Sequence, residues 1–265
     1  MQLSIIIVNY NGKHYLKDCL ESIYVHCSSF SYEIIMVDNN STDGSQEYIT
    51  LNYPEIKLFQ EKQNLGFGKA NNLGVQYSNG NNILLLNNDT ILLHDIYPVL
   101  KEVKKEEIGV VGIYMFNADR QYTSSVGKFP KPLDLIRLSN LNEKREEFIT
   151  GKFDKNSYEV DWVSGSFMMI KRKDWNLIGG FDEDFFMYVE DVDLCKRIHN
   201  LGKKIIFLSK ISYVHFIGFN TSREIKLITG YKLFSAKHFN LVSSILAEIC
   251  LKINYVYKKR FKNIR

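Results

Sequence analysis

Two polar stretches in this chain carry residue types that suit catalysis. The first is Leu84-Leu85-Leu86-Asn87-Asn88-Asp89-Thr90, an apolar run that ends abruptly in polar residues. A magnesium-type cation needs only one or two protein carboxylates when phosphate and water supply its other oxygens. One aspartate at a strand end meets that need, although an Asn/Asp turn accounts for the same residues without any ligand. The second stretch runs from Gly179 to Arg197, where Asp182, Glu183, Asp184, Glu190, Asp191 and Asp193 lie amid aromatics. Acids at a helix N-terminus often do no more than complement its dipole. Asp191 and Asp193, however, cannot both join the core-facing stripe of Leu194, Cys195 and Ile198. One carboxylate is therefore left to accept a proton from an attacking hydroxyl. At an ordinary aspartate pKa of about 3.9 it is ionised at neutral pH, as a general base must be. Asp182 to Asp184 read as caps that solvate their turn.

Three further clusters are weaker when taken singly. Asp38-Asn39-Asn40-Ser41-Thr42-Asp43-Gly44-Ser45 combines a helix cap, for which Asp43 is suited, with Asp38 facing outward as an acceptor for a base N–H or a ribose hydroxyl. Asn64-Leu65-Gly66-Phe67-Gly68-Lys69-Ala70-Asn71-Asn72 is glycine-rich at a helix start, where backbone N–H groups meet phosphate or sugar oxygens. Asn71 occupies the third glycine position of a dinucleotide fingerprint, and no P-loop occurs anywhere. Simple turn punctuation is the alternative. His215 follows the apolar Ile211 to Val214, with Gly218 beyond it, and is a metal ligand only if another feature calls for one.

These residues need a scaffold, and the hydrophobic periodicity supplies one. Ser4-Ile5-Ile6-Ile7-Val8, Glu33-Ile34-Ile35-Met36-Val37, Ile56-Lys57-Leu58-Phe59 and Ile83-Leu84-Leu85-Leu86 read as strands, separated by helical spacing. Tyr15, Leu16, Cys19, Leu20 and Ile23 share one helical face. That order predicts an α/β fold with a mostly parallel, Rossmann-like sheet flanked by helices, and ligands gather at the carboxyl ends of such strands. Residues 117–156 read as irregular. A second ordered block from Tyr158 to Phe216 holds strands at Phe167 to Ile170, Lys204 to Leu208 and Ile211 to Val214, and a helix from Glu190 to Asn200. Past Ser222 the chain reads as helical.

At 265 residues with 45% hydrophobic content, the chain suits one large domain with a short appendage. A net charge of +4, without a lysine patch interleaved with aromatics before residue 220, argues against nucleic acid. Cys19, Cys27, Cys195 and Cys250 form no C-x-x-C pair and read as reduced, buried thiols, which points to the cytosol. The N-terminus has no signal-peptide pattern, and no apolar stretch is long enough to span a bilayer.

Taken together, the motifs resemble the inverting glycosyltransferases of family 2, which have the GT-A fold, and especially their rhamnosyltransferase-like bacterial branch. The resemblance runs from Leu3 to Gly218 and rests on Ile5-Ile6-Ile7-Val8-Asn9-Tyr10-Asn11, Val37 to Gly44, Asn64-Leu65-Gly66-Phe67, Leu86 to Thr90 and Glu190 to Leu194. It implies a catalytic domain over 1–220, with a nucleotide-binding half at 1–116 and an acceptor half at 157–220, followed by a helical basic tail at 221–265. It also implies that Val8 and Tyr10 line a nucleobase pocket, that Asp38 bonds the base, and that Asn64 and Gly66 support the nucleotide. Asn87-Asn88-Asp89 stands where the family has D-x-D. Asp89 is then the carboxylate for Mn2+ or Mg2+, His215 completes the metal shell, and Asn87 replaces the first aspartate. Trp162 and Gly165 border the donor sugar and acceptor, Asp191 is the base, and Glu190 orients the acceptor. The implied partners are a nucleotide-diphosphate sugar, dTDP-rhamnose-like or a UDP-sugar, and a glycan or lipid-linked acceptor of bacterial surface polysaccharide.

Two rivals remain. A sugar-phosphate nucleotidyltransferase needs a glycine- and arginine-rich loop where this chain has Asn9-Tyr10-Asn11-Gly12. A non-catalytic nucleotide-sugar or glycan-binding protein on a degenerate scaffold sits poorly with intact Asp89, Asp191 and His215. From Lys252 onward there are six basic residues and no acid. Helices packed on the catalytic domain, or contact with an anionic inner membrane face, both explain such a tail.

Overall fold

The computed structural model describes residues 1–216 and 223–261, so Gly218 and Ser222 lie outside the described residues. The N-terminal part alternates β1 (Leu3–Asn9), α1 (Lys13–His26), β2 (Tyr32–Asp38), α2 (Ser45–Asn52), β3 (Lys57–Gln60), α3 (Phe67–Gln76) and β4 (Asn82–Asn87). These four strands are parallel in the order β3-β2-β1-β4, and the register sets Val8 level with Val37 and Asn87. Their apolar runs are continuous because both faces of the sheet are covered. Leu3, Ile5, Ile7, Leu84 and Leu86 enter one core layer, whereas Ile6, Ile83 and Leu85 enter the other. Each fully buried Leu or Ile there contributes about 1.5–3 kcal/mol.

The chain continues through β5 (Thr90–Leu92), α4 (Tyr97–Val103), β6 (Ile108–Phe116), β7 (Tyr122–Thr123), β8 (Val126–Gly127), α5 (Glu146–Thr150), β9 (Ser157–Val160) and β10 (Trp162–Val163). It then forms β11 (Phe167–Lys171), α6 (Arg172–Ile178), α7 (Glu190–Asn200), β12 (Lys204–His215), α8 (Arg223–His238) and α9 (Leu241–Phe261). β11 inserts antiparallel between β4 and β6, and β12 lies parallel to β6 on the far side. β1, β2, β3, β4, β6 and β12 therefore run in one direction. The sheet is mostly parallel, as the sequence predicts.

One detail departs from the sequence reading. Lys204 to Leu208 and Ile211 to Val214 are a single strand, β12, with a register shift between Leu208 and Ser212. The irregularity lets its first half pair with β9 and its second half with β5. The helical tail packs on the rest of the chain, one of the two readings the sequence offers. Tyr231, Phe234, Ala247, Cys250 and Leu251 share a core cluster with Leu135, Leu141, Phe185, Val189 and Val192. Residues 117–156 are mainly irregular, with short 3-10 turns at Pro132–Ile136 and Leu138–Leu141. All four cysteines are buried free thiols. No helix among the described residues is long and apolar enough to cross a membrane.

Candidate functional site

The carboxyl ends of β1, β2 and β4 are joined by a chain of amides and one carboxylate. Asp38 is buried, and its oxygens accept from Asn9 Nδ2 at 2.8 Å, Ser41 N at 2.9 Å and Gln46 Nε2 at 2.7 Å. Asn9 Oδ1 in turn accepts from Asn88 Nδ2 at 2.6 Å. Most of Asp38's roughly four acceptor sites are thus taken by protein. Asn88 points back to β1, and a Cβ on Gly12 would lie 2.0 Å from its Nδ2. Val8 is half-buried beside this chain, and Tyr10 stands exposed at the rim. Asp43 accepts from the backbone N–H of Lys13 and of Ser45, so it caps two helix starts at once.

Asn39 links this mouth to the glycine turn. Its Nδ2 donates to Asn64 Oδ1 at 2.9 Å and to the Gly66 carbonyl at 3.1 Å, while its Oδ1 accepts from Leu65 N at 2.8 Å. Gly66 has φ +83°, and a Cβ there would meet the Phe186 carbonyl at 2.3 Å. Phe67 N donates to that same carbonyl at 2.8 Å. The glycine turn therefore seats the acidic loop before α7, whatever it also offers a nucleotide. Asn72 holds the same loop by exchanging hydrogen bonds with the backbone of Phe181, both at 2.9 Å.

The turn between β4 and β5 separates Asn88 from its neighbours: Asn88 reaches back to Asn9, while Asn87 and Asp89 reach His215. Asp89 Oδ1 lies 3.1 Å from His215 Nε2, and Asn87 Nδ2 lies 3.2 Å from the same nitrogen. A neutral ring nitrogen serves either an amide donor or a carboxylate acceptor, not both. A cation shared by Nε2 and Oδ1 would resolve that conflict. Both side chains are only slightly exposed, and the strand end is fixed by Phe216, whose N–H donates to the Asp89 carbonyl at 3.0 Å and whose ring stacks on Tyr15. Among the described residues no third His, Cys, Asp or Glu joins this pair. The residues fit a metal whose remaining ligands come from phosphate and water.

Asp191 opens α7, and its Oδ2 accepts from Gly165 N at 3.1 Å. The segment carrying Gly165 also reaches the metal side, because the Ser166 carbonyl accepts from Asn87 N at 3.0 Å. Ser166 Oγ lies 3.0 Å from Ser164 Oγ and 2.6 Å from the hydroxyl of buried Tyr213. Burial pushes the Asp191 carboxyl above the usual aspartate range, against the pull of the Gly165 and Val192 N–H groups. Glu190 is pushed up further by burial and by the Asp191 charge, and its Oε2 has no hydrogen-bond partner among the described residues. The expectation of an ordinary aspartate at this position is corrected accordingly.

The alternative carboxylate, Asp193, is buried and accepts from Arg197 Nε at 2.8 Å, with His238 Nε2 at 2.7 Å. It is a structural bolt between α7 and α8. Lys237 adds ion pairs of 2.7 Å to both Asp182 and Asp184, which the sequence reading left to solvent. Just before Glu190, Tyr188 and Val189 have φ of 69° and 73°. A β-branched residue in that region is an outlier costing about 1–3 kcal/mol. Gly230 of α8 lets the strained turn sit close, since its Cβ would lie 2.7 Å from Val189 Cγ2. Trp162 spends its indole N–H on the Lys128 carbonyl at 3.1 Å and packs on Gly127, whereas the space beside Gly165 is bounded by Phe67 and Asp191.

The structure brings Asn87, Asp89 and His215 together and sets Asp191 against Gly165. Sequence reasoning assigned no role to Asn9, Asn39, Ser166, Tyr213 or His238. Asn9 had a visible signal, a polar residue ending an apolar strand. Ser166 and Tyr213 meet across 47 positions and leave no local trace.

Comparison with known proteins places this geometry in context. The profile for glycosyl transferase family 2 matches residues 4–177, and one described as the N-terminal domain of galactosyltransferase matches residues 151–218. Rhamnosyltransferase WbbL of Escherichia coli is 26% identical over 267 residues, covering 91% of this chain and 98% of its own length. The N-acetylglucosaminyl-diphospho-decaprenol L-rhamnosyltransferase of Mycobacterium tuberculosis is 24% identical over 244 residues, covering 84% of this chain and 78% of its own length. Among solved structures, mannosyltransferase PcManGT from Pyrobaculum calidifontis, in complex with GDP-Man and Mn2+, superposes with a TM-score of 0.65 at 16% identity. That match covers 98% of this chain and 75% of the other, and the likeness is one of fold, the GT-A fold.

Proposed function

The chain belongs to glycosyltransferase family 2, and from that premise we propose that it transfers a rhamnosyl group from a dTDP-linked donor to a lipid-linked glycan, with inversion. It is a glycosyltransferase, so the open matters are donor, acceptor and metal. The relatives with rhamnosyl activity support the donor, and the diphospho-decaprenol acceptor of one of them supports a lipid-linked acceptor.

The observation that carries the reading is the Gly165–Ser166 segment. It holds Asp191 through one backbone N–H and the Asn87 strand end through one carbonyl, so base and diphosphate side keep a fixed spacing. Asp191 takes the proton of the acceptor hydroxyl as that oxygen bonds to the anomeric carbon. The bond to the nucleoside diphosphate breaks on the opposite face, the diphosphate keeps the electron pair, and the configuration inverts. A divalent cation held by Asp89 and His215 would offset the charge of the departing diphosphate. The imidazole donor favours Mn2+ over Mg2+, which prefers oxygen ligands. Glu190, whose carboxyl is pushed well above the usual range by burial and by the Asp191 charge, sits beside the base and would orient the acceptor.

A thermal-shift panel tests the proposal, using dTDP, UDP and GDP and their sugars with and without Mn2+. The dTDP ligands should raise Tm most, and only with metal present. Stabilisation by UDP or GDP ligands alone would reassign the donor. No stabilisation by any nucleotide would return the case to a glycan-binding protein.

A further inference from the structure

Helix α9 has two apolar faces. Its inner face buries Ala247, Cys250 and Leu251, and Asn254 Nδ2 donates to the Ile136 carbonyl at 2.9 Å. Its outer face presents Val242, Ile245, Ile249, Ile253 and Val256, each between 50 and 77% exposed. At 3.6 residues per turn these five fall within an arc of about 80°. A helix packed on a soluble domain normally gives that arc to polar residues. A continuous outward stripe of Val and Ile instead marks an interaction surface.

The charge around the stripe identifies its partner. Lys252 and Lys259 border it, and both are exposed. Glu248 is the single acid of α9, and it is already paired with Lys232 at 3.3 Å and Lys252 at 3.4 Å. The exposed rings of Tyr255 and Tyr257 lie at the same end. A second copy meeting this face through its own would set Lys252 and Lys259 against the same lysines, like charge against like. An anionic lipid surface supplies both the apolar depth and the negative charge, and a helix of 21 residues lies along it for about 30 Å. We propose that the outer face of α9 docks the enzyme on a membrane leaflet rich in anionic lipid, lying in the interface.

The placement has a mechanical consequence. The inner face of α9 shares its core cluster with Val189 and Val192, which flank Glu190 and Asp191. Docking through α9 therefore sets the height of the base-bearing helix above the lipid surface.

Co-sedimentation of the full chain with vesicles tests this at low salt. The protein should pellet with equal parts phosphatidylglycerol and phosphatidylcholine, and stay in solution with phosphatidylcholine alone. Ile249→Glu with Ile253→Glu should lose the anionic vesicles at least tenfold, with Tm and nucleotide response unchanged. Lys252→Gln with Lys259→Gln, which leaves packing untouched, should weaken binding about thirtyfold. Absence of anionic-vesicle binding by the parent, or equal binding by both double variants, overturns the proposal. So does a parent dimer that the Ile249→Glu, Ile253→Glu variant splits into monomers, because a second copy would then cover the face. Vesicle binding needs no donor or acceptor, so its failure is separable from failure of the proposed transfer.

Discussion

Asp191 and Glu190 share one buried corner and respond differently to substitution. Asp191→Asn keeps the shape and the Gly165 contact but removes the proton acceptor. Turnover should fall by about 10²–10⁴-fold while nucleotide-induced stabilisation is kept. A variant retaining a tenth of the parental kcat would rule Asp191 out as the base. Because Asp191 is raised above the usual range, the acid limb of kcat/KM should lie higher in pH than for an exposed aspartate. Glu190 gives a stability prediction. A carboxyl whose pKa is higher folded than unfolded binds protons more tightly when folded. Its contribution is therefore fully present below the unfolded pKa and is lost as pH rises through the folded one. Glu190→Gln should accordingly raise Tm at pH 7 by roughly 2–4 °C per kcal/mol recovered, and the gain should shrink on acidification. Calorimetry across that pH range checks the sign, and an unchanged or lower Tm at pH 7 would contradict it.

The elements behind these residues were legible to different degrees. The parallel strands and the Asp89 strand end could be read because both-sided burial writes itself as uninterrupted Ile, Leu and Val. The choice of Asp191 over Asp193 came from the family resemblance alone, because the residues themselves do not show what α8 does to Asp193. Arg197 and His238 claim Asp193; the Arg197 pairing has the i,i+4 spacing of a helix, but His238 comes from α8 and leaves no local signal. The glycine turn reads from sequence as either turn punctuation or backbone support for phosphate or sugar, and its closest constraint is the Phe186 carbonyl, set by packing between distant loops. Gly66→Ala tests that constraint. It places a Cβ 2.3 Å from the carbonyl at a φ of +83°. The variant should lose about 1–3 kcal/mol and lower kcat by displacing the loop before α7. Urea unfolding with steady-state kinetics measures both, and a variant of parental stability would show that the turn yields freely.

At the scale of the whole molecule, the helical tail completes the catalytic half. Tyr231 and Phe234 bury the strained Val189 turn, and Lys237 and His238 fasten the acids around it. A chain truncated after residue 222 should expose that cluster, lose transfer entirely and aggregate on heating, while the first four strands keep their secondary structure. Circular dichroism with light scattering reads this, and an active, monomeric truncation would show the tail to be dispensable.

The position of β11 also dictates an order of events. It lies in the middle of the sheet, between β4 and β6, yet ribosomes make it after both. Until Phe167–Lys171 emerges, two long apolar strands wait with open edges, the condition in which nascent chains stick to one another. Folding of this enzyme is therefore a matter of late insertion, and its yield in a cell should follow how fast translation passes from β6 to β11.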